Sequence, residues 1–399
     1  MNKREDQRSA VIQLPYPSAS GKKRTFWILS DIHFISPSLY RINEGAFSLL
    51  HQYNLGKLFE AMPEAMEEFE ALALASRPDY VLVPGDILLN GEAASLRDME
   101  PRFASLEDNG IRVCLIPGNH DIECSYTYSY RNDAPEETER VTAEMFEDRM
   151  GRFGFRQAVS KAPDSRSYRI TADESLWILA LDSNTGECPG TLSEPTLAWA
   201  KSELEEAERK KINVITMTHQ NVLTQYPFMV KGFVLNNAEE VRDLLEAHHV
   251  ALNLSGHCHL QHISRHGEFT DICTGAACVW PLGFAVLDVD EISGICVYSK
   301  REFSANQSRA IRRIEEIIEK KVSTLSLPET CGKEVKAEMI AFANDVIRLN
   351  FGGLMNHPEE YLQKPGWQFW KDYGTGHFAY EQLHYILTGN GTDSKTPSD

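Results

Sequence analysis

Between Arg24 and about Tyr298, short apolar runs alternate with stretches of helical patterning. The runs TFWILSD, YVLVPGD, RVCLIPG, LWILALDS, NVITMTH and VALNLSG are too uniformly apolar for strands with one wet face. They predict strands covered on both sides, with helices over residues 60–75, 194–210 and 237–248 as the covering layers. After His259 the pattern changes to FTDICTGAACVW, GFAVLDVD and GICVYSK, strands with no helix between them. That change predicts a second sheet packed on the first. The fold class is then α/β, a four-layer α/β/β/α sandwich of two mixed sheets.

A further shift comes near Arg301. Ile311, Ile314, Ile317, Ile318 and Val322 follow helical spacing, as do Met339, Ile340, Phe342, Val346 and Ile347. The aromatic-rich stretch after them holds Trp367, Phe369, Trp370, Tyr373 and Phe378, read as core packed on the body or as a roof over the site below. The expected division is residues 1–300 as the layered body, 301–390 as a C-terminal helical extension and 391–399 as a disordered tail.

Composition narrows the class. The chain has 399 residues, 42% hydrophobic and 25% charged, as in an ordinary globular protein. No apolar run approaches the roughly 20 residues that span a bilayer, and the N-terminus is polar, so the expected setting is cytoplasmic with no membrane partner. A formal net charge of −18 argues against a stable nucleic-acid partner but not against an anionic substrate, because bound cations reverse the sign locally. The eight cysteines, Cys114, Cys124, Cys188, Cys258, Cys273, Cys278, Cys296 and Cys331, form no C-x-x-C pair and read as reduced, mostly buried thiols.

The candidate chemistry lies where the strands end. SDIH places Asp31 and His33 two apart, and LSGHCHL does the same for His257 and His259, a spacing that in extended chain projects both side chains to one face. GDILLNGE adds Asp86, PGNHD adds Asn119, His120 and Asp121, and THQN adds His219. Each piece has a bland reading as turn, cap or satisfied core histidine, and Asp182 is taken as a structural cap or supporting group. Their joint occurrence at five strand ends is another matter, since open α/β sheets bind ligands at the carboxyl edge. Carboxylate, amide and imidazole without thiolate suit a divalent-metal site for manganese, iron or zinc.

In these five blocks the chain resembles the calcineurin-like metallophosphoesterase superfamily over about Thr25 to Ser299. The resemblance implies one metal on Asp31, His33, Asp86 and His259, and another on Asp86, Asn119, His219 and His257, with Asp86 bridging. It implies that His120 faces the leaving group, with Asp121 orienting its ring, and that Asn90, Asn119, His120 and His219 line the substrate. Two such cations, about 4 Å apart, would generate a bridging hydroxide that attacks phosphorus. Leu89 stands where purple acid phosphatases have tyrosine, and Asn90 where protein phosphatases have arginine. GDILLNGE and PGNHD look more like bacterial class III cyclic nucleotide phosphodiesterases. The function implied is therefore a phosphodiesterase of small phosphodiesters or nucleotides, with 3′,5′-cyclic nucleotides foremost; a phosphomonoesterase, a nuclease and a non-catalytic binding module are the alternatives. The insertion from Phe34 to Lys57 is longer than its turn needs, and Phe34, Tyr40 and Phe47 in it are read as either a wall for a base or packing.

Overall fold

The computed structural model describes residues 6–389 except 43, 55, 186–188, 227–228, 324 and 326–331. Cys188, Cys331 and the expected tail lie outside the described residues; the other six cysteines are buried and free.

Two mixed sheets face each other. The first has six strands in the order Ser9–Gln13, Ile295–Glu302, Gly283–Asp290, Lys23–Ile28, Tyr80–Val83 and Arg112–Leu115. The second has seven, in the order His262–His266, Phe269–Cys273, Leu252–Ser255, Asn213–Thr218, Leu176–Leu181, Tyr168–Asp173 and Ser160–Lys161. The last three strands of the first sheet run parallel, as do Phe269–Cys273, Leu252–Ser255, Asn213–Thr218 and Leu176–Leu181 in the second. Alternation explains the uniform hydrophobicity: Phe26 and Ile28 face the cluster between the sheets, whereas Trp27 and Leu29 face the outer one. Helices Met62–Ser76 and Ala93–Asp108 cover the outer face of the first sheet, and Glu194–Lys210 and Ala238–Ala247 that of the second.

The strands after His259 are shared out differently from the expectation. Phe269–Cys273 joins the second sheet, but Gly283–Asp290 and Ile295–Glu302 return to the first, beside Lys23–Ile28. Apolar strands pair with whichever edge the chain reaches, and their composition carries no address. The run TGAACVW is a turn rather than strand, and it lies against the site: Ala277 N donates to Ser30 O at 2.9 Å.

Beyond Glu302 the chain forms helices Gln307–Ser323, Lys333–Phe351, Pro358–Tyr361, Pro365–Tyr373 and Phe378–Thr388. Ile314, Ile318, Val322, Phe342, Val346, Trp367 and Trp370 share one apolar cluster with Trp27, Phe69 and Phe284. Tyr373 and Phe378, expected in that core, are exposed, because one ends and the other starts its helix. Among the described residues no helix is long and apolar enough to cross a membrane.

Candidate metal centre

All the predicted ligand residues meet at one edge. Asp31 and His33 follow strand Lys23–Ile28, Asp86 follows Tyr80–Val83, and Asn119 follows Arg112–Leu115; from the other sheet, His219 follows Asn213–Thr218 and the two later histidines follow Leu252–Ser255. Parallel strands from two facing sheets thus end at a common place. The means of convergence differs from the expected alternation of extended chain. Asp31, His33, His257 and His259 have φ of 49°, 47°, 68° and 60°, so left-handed turns rather than strand pleats aim these side chains. Gly118 and Gly256 permit the crowding, since a Cβ on the first would strike Asp86 Oδ1 and on the second Ser30 Oγ and Asp31 Oδ2.

Two donor groups result. Asp31, His33, Asp86 and His259 each offer an atom within 4.8 Å of the others, as do Asp86, His219 and His257. In the first, His33 Nε2 lies 2.9 Å from His259 Nε2 and 3.6 Å from Asp86 Oδ2, and His259 Nε2 lies 3.5 Å from Asp31 Oδ1. In the second, His219 Nε2 lies 3.3 Å from Asp86 Oδ2, 3.2 Å from His257 Nδ1 and 3.0 Å from Asn119 Oδ1. Asp86 Oδ1 accepts from His120 N at 2.9 Å, while its buried Oδ2 has no hydrogen-bond partner among the described residues and lies between His33 and His219.

In the metal-free protein this oxygen relies on the charge of the His219 ring at 3.3 Å, a place that a bound cation would take over. Neighbouring groups fix which nitrogen points inward. His219 Nδ1 is paired with Pro84 O at 2.8 Å and His257 Nε2 with Gly232 O at 2.7 Å, so His219 Nε2 and His257 Nδ1 are the nitrogens that point inward. Burial lowers the pKa of His33 and His259 well below the usual value and that of His257 to about 4, so these rings are neutral, as ligation requires. Burial also acts against charge on His219, but Asp86 overcomes it and raises that pKa to about 9. The residues present fit two divalent cations with Asp86 common to both.

Some expected roles change. Asp121 does not orient His120: its oxygens accept from Leu88 N at 2.8 Å and Gly118 N at 2.7 Å, bracing the two loops that carry Asp86 and Asn119. The ring of His120 is held instead by Leu89 O at 2.8 Å and by Asn90 Oδ1 at 2.9 Å, both on Nδ1, which turns Nε2 the other way. Asn90, expected to line the substrate, has its carbonyl engaged there, and His219 is fully buried, so neither presents a free face. Asn119 and His120 are partly exposed. Asp182 is a cap, accepting from Asn184 N at 2.8 Å and Arg166 N at 3.2 Å. Phe34, Tyr40 and Phe47 are buried, with Tyr40 stacked on Phe47 at 4.3 Å, so the insertion packs rather than forming a wall for a base.

Two residues were not legible beforehand. Tyr126, 44% exposed, sets its ring edge-on to His120 with centroids 6.0 Å apart. Lys57 is buried beside the first donor group. Neither belongs to a motif; the only signal was the excess length of the insertion that ends at Lys57.

Comparison with known proteins agrees with this geometry. The family model for calcineurin-like phosphoesterase matches residues 24–261. A probable cyclic nucleotide phosphodiesterase of Psychrobacter arcticus is 26% identical over 213 residues, covering 52% of this chain and 67% of the relative. One of Xenorhabdus bovienii is 24% identical over 221 residues, covering 54% and 72%. A crystal structure of a dimetal phosphatase from Danio rerio superposes with a TM-score of 0.51 at 15% identity, over 66% of this chain and 92% of that one, a likeness of fold.

Proposed function

The chain belongs to the calcineurin-like phosphoesterase family of metal-dependent phosphoester hydrolases, and on that premise we propose that it is a dinuclear phosphodiesterase of small phosphodiesters, with 3′,5′-cyclic nucleotides as the foremost substrates. The observation that carries the dinuclear reading is Asp86 Oδ2, buried without a hydrogen bond, 3.6 Å from His33 Nε2 and 3.3 Å from His219 Nε2. Asp31, His33 and His259 would hold one cation, Asn119, His219 and His257 the other, with Asp86 shared. When bound, the cations supply positive charge to phosphate oxygens and acidify water near neutral pH.

The chain's own groups do the rest. His120 keeps its Nδ1 proton on Leu89 O and Asn90 Oδ1, so a proton given to a leaving alkoxide would come from Nε2 of the charged ring. Burial lowers the pKa of His120 while Asp86 pulls against it, which favours release of that proton. Tyr126 offers an exposed aromatic face next to the ring, suited to stacking with a nucleobase. Diesters are favoured over monoesters because Leu89 and Asn90 leave this segment without a cationic clamp for a dianion. The relatives' names point the same way. The net charge of −18 speaks against polymeric nucleic acid as a stable partner. The donor set favours manganese or iron, with zinc as the alternative.

The test compares kcat/KM for 3′,5′-cyclic AMP and cyclic GMP, bis-p-nitrophenyl phosphate and p-nitrophenyl phosphate on samples loaded with Mn²⁺, Fe²⁺ or Zn²⁺. Diesters should be preferred at every loading that is active. A monoester preference on the same sample would overturn the reading.

A further inference from the structure

Lys57 is fixed from both sides. Leu58 N donates to Cys278 O at 2.8 Å, and the turn that holds Cys278 is tied to both ligand loops, through Ala277 N to Ser30 O at 2.9 Å and Ala276 N to His259 O at 3.3 Å. The position before it, Gly56, lies against Val279 and Ile314. Its side chain is 7% exposed. His33, His120 and His259 all feel its charge, as it feels those of Asp31 and Asp86, so its side chain lies in the neighbourhood of the donor groups. Among the described residues it has neither a hydrogen bond nor an ion-pair partner. Burial lowers its pKa, and Cys278, Asp86 and Asp31 oppose that shift.

A lysine that is only 7% exposed and has no anion paired with it is costly to keep charged. Here the cost is larger once the centre is loaded, because two dications against Asp31 and Asp86 leave it net positive. An amine beside them is then stabilised by an anion lying between it and the metals. The anion this centre takes, on the reading above that it hydrolyses phosphoesters, is a phosphoryl group. A lysine fits because its amine is a compact point donor on a flexible stem. We propose that Lys57 is a substrate-binding residue whose Nζ donates to one non-bridging phosphate oxygen, a single contact that a diester monoanion also offers.

The experiment uses full-length protein loaded with Mn²⁺, comparing wild type with Lys57→Met, Lys57→Gln and Lys57→Arg. Three quantities are read: manganese per chain, the Kd of inorganic phosphate by calorimetry, and kcat/KM on bis-p-nitrophenyl phosphate. With manganese retained, Lys57→Met should weaken phosphate about tenfold or more, as loss of one charge-assisted hydrogen bond does. Its kcat/KM should fall about 10²-fold, the scale for removing one donor to developing charge. Lys57→Arg should recover part of both. If Lys57→Met fails to fold, Lys57→Gln carries the comparison. Unchanged phosphate affinity and turnover at full manganese would overturn the proposal, and so would losses that merely track lost manganese. The two readings fail separately. A wild type that binds phosphate through Lys57 but cleaves no diester sinks the diester reading alone, whereas diester cleavage indifferent to Lys57 sinks this one alone.

Discussion

The ligand edge and the C-terminal helices are built in opposite ways. Asp31, His33, Asp86, His257 and His259 all have φ between 47° and 68°, a conformation that costs a side-chain-bearing residue about 1–3 kcal/mol. The same edge buries His33 Nδ1 and Asp86 Oδ2 without hydrogen bonds. The helices do the reverse. Gln307–Ser323 lays Ala310, Ile314, Ile318 and Val322 along one face, and Phe378–Thr388 ends with Gly389 in the left-handed conformation that suits glycine. They meet the edge through Gln261 N, which donates to Phe351 O at 2.9 Å, through Tyr226 on Asn350, and through the apolar cluster that joins Phe351 and Tyr385 to Cys258 and Leu260. One region holds polar atoms in place at the expense of stability; the other contributes stability and no reacting group.

That contrast predicts a double dissociation. Asp86→Asn keeps the side chain's shape but removes the shared negative charge. The expected result is loss of metal and a fall in kcat/KM of at least about 10³, since charge on the phosphate and water activation go together. The melting temperature of the metal-free protein should fall by only a few degrees, since the change removes the attraction of Asp86 for His219 but also the burial of its charge. Metal analysis, turnover and thermal melts on one preparation check this. Retained metal with retained turnover, or a collapse of the metal-free melt, would break the comparison.

The converse change is Ile318→Ala. Ile318 is 3% exposed within the cluster that joins the helices to the outer face of the first sheet. Truncating it should cost about 2–5 kcal/mol, the usual range for a buried large-to-alanine change. Turnover per folded molecule and metal content should stay within about twofold. Denaturant unfolding paired with active-site titration measures both. A large loss of turnover in fully folded protein would mean that the helices act on the chemistry and not only on stability.

The two regions were also unequally legible. The helical stripe through Ile314, Ile318 and Val322 and the strand runs were readable because burial imposes periodicity on sequence. The candidate donors were legible for a different reason: five short blocks stand at strand ends in one order, and Asp31, His33, Asp86, His219, His257 and His259 do converge. What failed was local geometry. Two histidines two apart suggested a pleat, but the loop uses left-handed turns, which leave no periodic trace. Asp121 beside His120 suggested an orienting pair, but adjacent side chains diverge, and the ring is held by Leu89 and Asn90, about 30 residues earlier. Lys57 was silent because its position depends on Leu58 meeting Cys278, a contact across more than 200 residues.

Lys300 lies where the two regions meet and gives the smallest test. It is buried in strand Ile295–Glu302, and its Nζ donates to Gly275 O at 2.6 Å, in the turn that runs on to the ligand loops. Burial, aided by Arg8, lowers its pKa to about 7, against the usual 10.5 for lysine. The sign follows from which state holds the proton. Below pH 7 both folded and unfolded chains carry the charge, and the folded one bears the full penalty of burying it. Between about 7 and 10.5 the folded chain sheds the proton while the unfolded chain keeps it, so stability rises with pH, by at most about 1.4 kcal/mol per unit. Lys300→Met removes that slope while keeping the apolar stem. Urea unfolding of metal-free protein at pH 7, 8 and 9 should show wild type gaining about 2 kcal/mol relative to the variant across the range. Gly275 O loses its donor in the variant at every pH, which offsets the two curves without tilting either. Parallel curves would therefore mean that Lys300 keeps its charge in the fold, and that the junction between edge and helices is wetter than its burial implies.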